Sequence, residues 1–281
     1  MIKLITSIEK FQNIRKNISN TVIGFVPTMG NLHKGHLTLI EKSINENEVT
    51  IISIFVNPKQ FSEGEDFKEY PRTLEQDIQK IKELKSNKQI FIFSPLKEEI
   101  YPKDFNSVIS IKGKFRNKLC DISRPSHFDG VTTIVYLLFE IVKPTNAYFG
   151  QKDIQQLKLI EQMNYDLLLQ INIVNCPIIR EESGLALSSR NNFLSEHEKK
   201  EALVLPNSLK LIKTNFTTKG YQNSVNFIST ILENDKRFEY LAIYDLDTFA
   251  KPDKKTKKIV IAGALKLQTT RLIDNIVFNY E

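Results

Sequence analysis

At 281 residues the chain is longer than a usual single domain of ~100–200 residues, so one large domain and a smaller one are expected. Its 41% hydrophobic and 26% charged residues exclude a disordered, collagen-like or low-complexity protein. The formal charge of +6 comes from lysines scattered along the chain, with one basic cluster at Lys251–Lys258, and so reads as a solvated surface rather than a nucleic-acid stripe.

The opening residues, Met1 to Thr6, lack a signal peptide's apolar stretch, and no run approaches the ~18 apolar residues of a membrane span. A cytoplasmic protein with no membrane segment is expected. From there, β-branched runs alternate with segments of helical period, the pattern of βαβ units. Strands are predicted at Thr21–Val26 and Val49–Val56, with a helix at His36–Ile44 between them. A helix from Thr73 leads to a strand at Gln89–Phe93. A helix at Val131–Val142 leads to Ala147–Phe149, and one at Ile154–Leu169 leads to Ile171–Asn175. Beyond Pro177 come a loop, helical stretches at Glu196–Lys213 and Gln222–Asn234, and strands at Tyr240–Tyr244, Ile259–Ile261 and Ile273–Phe278. The expected fold is α/β: a Rossmann-like doubly wound parallel sheet over residues 1–176, with a smaller C-terminal α+β domain over 177–281. Cys120 and Cys176 lie far from any Cys/His set, so neither a zinc site nor a disulfide framework is indicated, and no metal ligand is assigned.

In an open α/β sheet, ligands lie beyond the carboxyl ends of the strands, and five motifs fall at such ends. The first, Pro27–His36, joins a strand to a helix whose amides and dipole would favour phosphate. It carries His33 and His36, two of the four histidines, as possible donors. Spacing alone fits a tight turn with two exposed histidines equally well. The second offers the amides of Asn57 and Gln60 at a strand exit. They suit a ligand bearing hydroxyls and a carboxylate, or a plain polar turn. In the third, Arg124 supplies a planar fork and His127 a neighbouring donor, unless the loop is simply solvated with Asp129 capping the next helix. In the fourth, Gly150-Gln151-Lys152-Asp153, Lys152 suits phosphate charge and Asp153 either ribose hydroxyls or a helix cap. The fifth, Ser188-Ser189-Arg190, gives two hydroxyls and a permanent cation for a phosphate tail.

Together, in this order, these strings resemble the pantothenate synthetase family of the nucleotidyltransferase superfamily, which also includes class I aminoacyl-tRNA synthetases. The resemblance rests on H-x-G-H at 33–36, F-V-N-P-x-Q-F at 55–61, Y-P-R at 70–72, R-P-x-H-F-x-G-V at 124–131, G-x-K-D at 150–153, G-L-A-L-S-S-R-N at 184–191 and T-R-L-I-D-N at 270–275. Gln151 departs from the glutamate usual in the family. The resemblance implies that ATP is bound by Met29, Gly30, Asn31, Leu32, His33, Lys34, Gly35 and His36, by Gly150, Gln151, Lys152 and Asp153, and by Ile179, Leu187, Ser188, Ser189 and Arg190. It further implies that Gln60, Gln156, Asn57, Arg124 and His127 meet pantoate or β-alanine, that magnesium accompanies ATP, and that the protein is a homodimer. His33, His36, Lys152, Ser188, Ser189 and Arg190 are then the catalytic candidates. The implied reaction is ATP-dependent condensation of pantoate with β-alanine through an acyl-adenylate, releasing AMP and diphosphate, with the C-terminal domain as a lid. Two rivals remain: another adenylyl- or cytidylyltransferase, against which the Asn57, Gln60 and Gln156 amides argue, and an RNA-binding protein.

Overall fold

The computed structural model describes residues 2–62 and 64–280. The chain divides into two compact units that interleave along the sequence. The first comprises Met1–Ile111, Ser126–Gly150 and Leu159–Cys176. The second comprises Lys112–Pro125, Gln151–Lys158 and Pro177–Glu281.

The first unit is built on six parallel strands: β1 (Ile2–Ile5), β2 (Ile23–Thr28), β3 (Val49–Ile54), β4 (Gln89–Phe93), β5 (Asn146–Gly150) and β6 (Asn172–Cys176). Their order across the sheet is β1-β4-β3-β2-β5-β6, and every pairing is parallel. Strands buried on both faces need apolar side chains pointing both ways, which is why β3 reads as one run, Val-Thr-Ile-Ile-Ser-Ile, with every residue buried. Helices α1 (Ile8–Asn17), α2 (Lys34–Glu46), α3 (Leu74–Lys82), the short α4 (Lys97–Ile100) and α6 (His127–Val142) belong to this unit. Between α4 and α6 the chain makes α5 (Cys120–Ser123), part of the second unit, and α7 (Ile154–Asp166) is shared between the two.

Alternation along the strands sorts the sheet's two faces. Phe25, Phe93 and Phe149 point to one side. There Phe11 of α1 meets Phe93 at 4.7 Å between ring centres, and Phe139 of α6 meets both Phe25 and Phe149 at 6.2 Å. Val26, Ile52, Ile90 and Ile92 point to the other and pack with Ile40 and Ile44 of α2 and Ile81 of α3. Helices on both faces make the sheet doubly wound. Truncating Phe139, which bridges two strands, would cost about 3–5 kcal/mol. Strand order reverses between β2 and β5, which makes the gap at their carboxyl ends the topological switch point.

Four elements escaped the sequence reading: β1, α1 and the one-turn helices α4 and α5. Four residues of strand are too short to show a period, and β1 is held by parallel pairing with β4, 88 positions away at Ile2↔Ile90. Helix α1 has a weak apolar face, with Phe11 its one fully buried residue, and starts at a Ser7 cap.

In the second unit, α8 (Glu196–Ala202) and α9 (Val204–Asn234) precede an antiparallel sheet of β7 (Phe238–Asp245), β8 (Lys258–Leu267) and β9 (Thr270–Asn279), in the order β7-β8-β9. Leu205, Leu209, Ile212 and Phe216 of α9 pack on Leu241, Ile243, Ile259, Ile261 and Leu265 of the sheet. The expected break between Lys213 and Gln222 falls at Gly220, where φ is +78°, whereas the single helix expected over Glu196–Lys213 divides at Leu203 between α8 and α9. Strand β8 runs ten residues rather than three. It is buried almost throughout, so its pattern is a continuous apolar stretch without a marked edge.

Candidate active site

In the first unit, β2 ends in a turn that only certain residues can make. Gly30 has φ of +81°, and a Cβ there would lie 3.0 Å from Ile54 and 3.1 Å from Asp77; Asn31 follows in the left-handed region at +49°. A tight turn can aim neighbouring amides to the same side and form an anion nest. Here the anion is the protein's own. The buried Asp77 carboxylate of α3 accepts from Asn31 N at 2.9 Å and Leu32 N at 2.7 Å, and from Thr73 Oγ1 at 3.1 Å. Lys80, one turn on, donates to the Leu32 carbonyl at 2.6 Å. Helix α3 thus grips the turn with one anion and one cation.

The helix start is capped by its own histidines. Gly35 N donates to His33 Nδ1 at 3.1 Å, and His33 N donates to His36 Nδ1 at 3.4 Å, a reciprocal capping box. An Nδ1 that accepts from a backbone N–H carries no proton, so each neutral ring is the Nε2–H tautomer. The rings lie 4.0 Å apart, centre to centre. The amides of Asn31, Leu32, His33 and Gly35 are thus engaged within the protein.

The second motif is braced by α6. Asn57 is 1% exposed, and its amide is used internally. Nδ2 donates to Gly130 O at 3.1 Å and Gln60 Oε1 at 3.2 Å, while Oδ1 accepts from Tyr101 OH at 2.7 Å and Lys59 N at 3.3 Å. Asn57 was expected to touch substrate. The structure buries its amide and engages it within the protein, where it also braces Gln60. Gln60, half-buried on a 3₁₀ turn (Pro58–Gln60), is oriented by that support: its oxygen faces Asn57, and its Nε2 faces Met29 Sδ at 2.8 Å. Thioether sulfur is a weak acceptor that a carboxylate or hydroxyl oxygen would outcompete. Helix α6 approaches so closely that a Cβ on Gly130 would stand 2.0 Å from the Lys59 carbonyl oxygen.

His127 opens α6 with Nδ1 2.7 Å from the Gln60 carbonyl. A carbonyl only accepts, so Nδ1 carries the proton and the neutral ring presents Nε2 as an acceptor, the opposite of His33 and His36. The expected donor at His127 therefore exists only when the ring is protonated. Arg72 of the Y-P-R string wraps its own loop, donating to the carbonyls of Phe67, Lys68 and Tyr70.

The second unit holds Arg124, the Gln151–Asp153 turn, Gln156, Ile179, Leu187 and Ser188–Arg190. Gln155 and Gln156 are told apart by their surroundings. Gln155 is buried and ties Phe115 O, Lys118 O and Cys120 N together, whereas Gln156 is half-buried and its amide makes no hydrogen bond to the described residues. Asp153 is exposed and makes no side-chain hydrogen bond to them either, so it does not cap α7. Lys152 is half-buried as a residue, but its ammonium is crowded by protein. Loss of solvent lowers its pKa, with Arg190 adding to the effect and Asp153 and Asp274 opposing it. Ile179 and Leu187 face each other in a hairpin, Leu187 N donating to Ile179 O at 2.9 Å. Ser188 caps the turn Ser189–Phe193 by accepting from Arg190 N at 3.2 Å, leaving its hydroxyl proton to donate. Arg124 is half-buried at the end of α5, with its N–H on Cys120 O. His197, expected to be an ordinary surface residue, is exposed beside Glu201.

Sequence reasoning missed Asp77 and Lys80, because each acts on a motif from a different element. Gly130, Asp274 and Asn275 were noticed only as part of family strings.

A doubly wound sheet with paired imidazoles on its switch-point loop and buried cysteines is the architecture of an α/β enzyme with no exposed thiol among the described residues. Burial pushes the Cys176 thiol up to about 11. The family pattern for pantoate-beta-alanine ligase matches residues 3–277, and the chain belongs to that family. Pantothenate synthetase of Caldicellulosiruptor saccharolyticus is 46% identical, covering 98% of both chains, and that of Thermosipho africanus 42%, covering 98% and 100%. A crystal structure of pantothenate synthetase from Thermus thermophilus superposes with a TM-score of 0.89 at 36% identity, with 98% of both chains covered. The pantoate-beta-alanine ligase of Francisella tularensis, solved with beta-gamma ATP and beta-alanine, gives 0.78 at 35%, covering 98% of this chain and 97% of that one.

Proposed function

We infer that this chain condenses pantoate with β-alanine, using ATP, through a pantoyl-adenylate that is then opened by the amine to give pantothenate, with diphosphate and AMP released in turn. The observation that carries the substrate choice is the end-to-end likeness, at 46% identity, to a pantothenate synthetase.

The residues supply alignment and charge rather than covalent chemistry. A carboxylate with a pKa of ~4 is already ionised at neutral pH, so pantoate needs no base to attack the α-phosphorus. Charge then grows on the phosphate oxygens. His33 and His36 meet it with paired Nε2–H donors whose tautomer is set before ATP arrives, which is the pre-organisation such stabilisation requires. Lys152, Arg190, Ser188 and Ser189 serve the phosphates as cations and hydroxyl donors. Met29, Gly30, Asn31, Leu32, Lys34, Gly35, Gly150, Gln151, Asp153, Ile179 and Leu187 line the nucleotide. Gln60 offers Nε2 and Gln156 an uncommitted amide to the substrates, while Arg124 receives a carboxylate. In the second step β-alanine's neutral amine attacks the mixed anhydride.

Among the described residues no three His, Cys, Asp or Glu side chains gather as a metal site. Magnesium entering with ATP fits a mode in which phosphates and water supply most ligands, and it would neutralise phosphate charge. Residues 177–281 act as a lid that keeps water from the adenylate. No helix among the described residues is long and apolar enough to cross a membrane. The working form is a cytoplasmic homodimer.

Purified protein with ATP, magnesium, pantoate and β-alanine should release AMP only when both acids are present. AMP release that ignores either one overturns the assignment.

A further inference from the structure

The Gly150–Asp153 turn has no cap of its own, yet it is held by a residue over a hundred positions away. Asn275 on β9 is 1% exposed. Its Nδ2 donates to Gln151 O at 2.9 Å and to Lys152 O at 3.0 Å, and its Oδ1 accepts from Gln151 Nε2 at 3.2 Å. Both protons and the oxygen of one amide are thus engaged by two consecutive residues. Only a primary amide of this length supplies two donors and an acceptor in one plane. Aspartate would face the two carbonyls with like charge, and leucine would leave them unpaired.

The neighbouring residue ties in a second segment. Asp274, also buried, receives Arg180 in a two-pronged pair, Nη1 to Oδ2 at 2.7 Å and Nη2 to Oδ1 at 2.9 Å. Arg180 in turn donates to Gly184 O at 3.0 Å, closing the hairpin that leads into Ser188–Arg190. Asp274 Oδ1 also accepts from the Asn275 backbone N–H at 2.8 Å, and Arg180 Nη2 donates to the Asn275 carbonyl at 3.4 Å, so the Arg180–Asp274 pair is tied to the strand backbone at Asn275. Adjacent residues of one strand hold the turn bearing Lys152 and the hairpin before Arg190. Those two cations influence each other electrostatically, and like charges do not hold themselves together.

We propose that Asn275 is a positioning residue for phosphate transfer: it fixes the Gly150–Asp153 turn and so sets where the Lys152 ammonium stands, while Asp274 locks the Arg180 hairpin to the same strand. The proposal rests on the reading that Lys152 serves the phosphates.

Pantoate-dependent exchange of diphosphate into ATP isolates the first half-reaction and tests it. Lys152→Ala, Asn275→Asp, Asn275→Ser and Gln151→Met are compared, with melting temperature and the burst of adenylate per protein measured for each. Gln151→Met removes a single bond from a half-exposed side chain, so it reports even where Asn275 variants fold poorly. The expected result is a kcat loss of about 10–100-fold for Asn275→Asp, less for Asn275→Ser and Gln151→Met, with the burst amplitude retained. In the Lys152→Ala background, Asn275→Asp should add little further loss. Lowered melting temperature with wild-type kcat per active site would reduce Asn275 to a fold-stabilising residue and overturn the proposal. Full exchange by Lys152→Ala would instead refute the assignment of Lys152 to the phosphates.

Discussion

Gly130→Ala would place a methyl group where the Pro58–Gln60 turn already lies. The new Cβ would stand 2.0 Å from the Lys59 carbonyl oxygen, 2.4 Å from its carbon and 2.7 Å from Gln60 N. Ordinary C···O contact begins at about 3.3 Å, so helix and turn must part by roughly 1.3 Å. None of these contacts is a flexible side-chain tip, so backbone has to move. That parting stretches Asn57 Nδ2 to Gly130 O, now 3.1 Å, and His127 Nδ1 to Gln60 O, now 2.7 Å. Overpacking and one poorly satisfied buried donor together cost about 2–5 kcal/mol, or roughly 5–15 °C in Tm. Gln60, displaced by about 1 Å, should lose on the order of 10²-fold in kcat/KM for pantoate. Differential scanning fluorimetry and steady-state kinetics read both quantities. A double-mutant cycle with Gln60→Ala separates the routes, since Gly130→Ala should cost almost nothing more in kcat/KM once Gln60 is gone. A stable Gly130→Ala protein with wild-type pantoate kinetics would refute the close-packing argument.

His36→Ala should lose far more adenylation rate than ATP affinity, measured by diphosphate exchange and by nucleotide binding. Equal losses in both would mean that the imidazole only binds. Lys152→Met should raise the Tm of the ligand-free protein at pH 7 while abolishing stabilisation by ATP, because the fold disfavours this ammonium's charge. The sign follows: from the lowered folded value up to ~10.4 the unfolded chain alone holds the proton, so wild-type stability rises with pH and the advantage of the variant closes. A Tm drop in Lys152→Met would contradict this. At alkaline pH the sign reverses for two other groups. Burial pushes the Cys176 thiol up to about 11 and the Tyr148 hydroxyl up to about 12. Both stay neutral in the fold while the unfolded chain ionises from ~8.5 and ~10, so stability falls as pH rises toward about 12. Cys176→Ala and Tyr148→Phe should each flatten that slope in thermal melts.

What sequence alone determined is the material carried by local pattern. Near-continuous apolar runs such as Val49–Ile54 marked the parallel strands, because burial on both faces leaves no polar alternate. The candidate side chains His33, His36, Gln60, Lys152 and Arg190 could be nominated from sequence because their spacing is local and their motifs come in order. Strand order, which places the β2 and β5 exits side by side, is a non-local pairing and was not. Nor was the division of labour among similar groups. Gln155 is distinguished from Gln156, and Asn57 from Gln60, only by what surrounds each amide. His127 differs from His33 and His36 in tautomer because one ring meets a carbonyl and the others meet amides. Asp77 and Asn275 bind backbone atoms 46 and over 120 positions distant. A backbone donor or acceptor has no sequence signature, so only the folded chain reveals which side chain has been assigned to hold it.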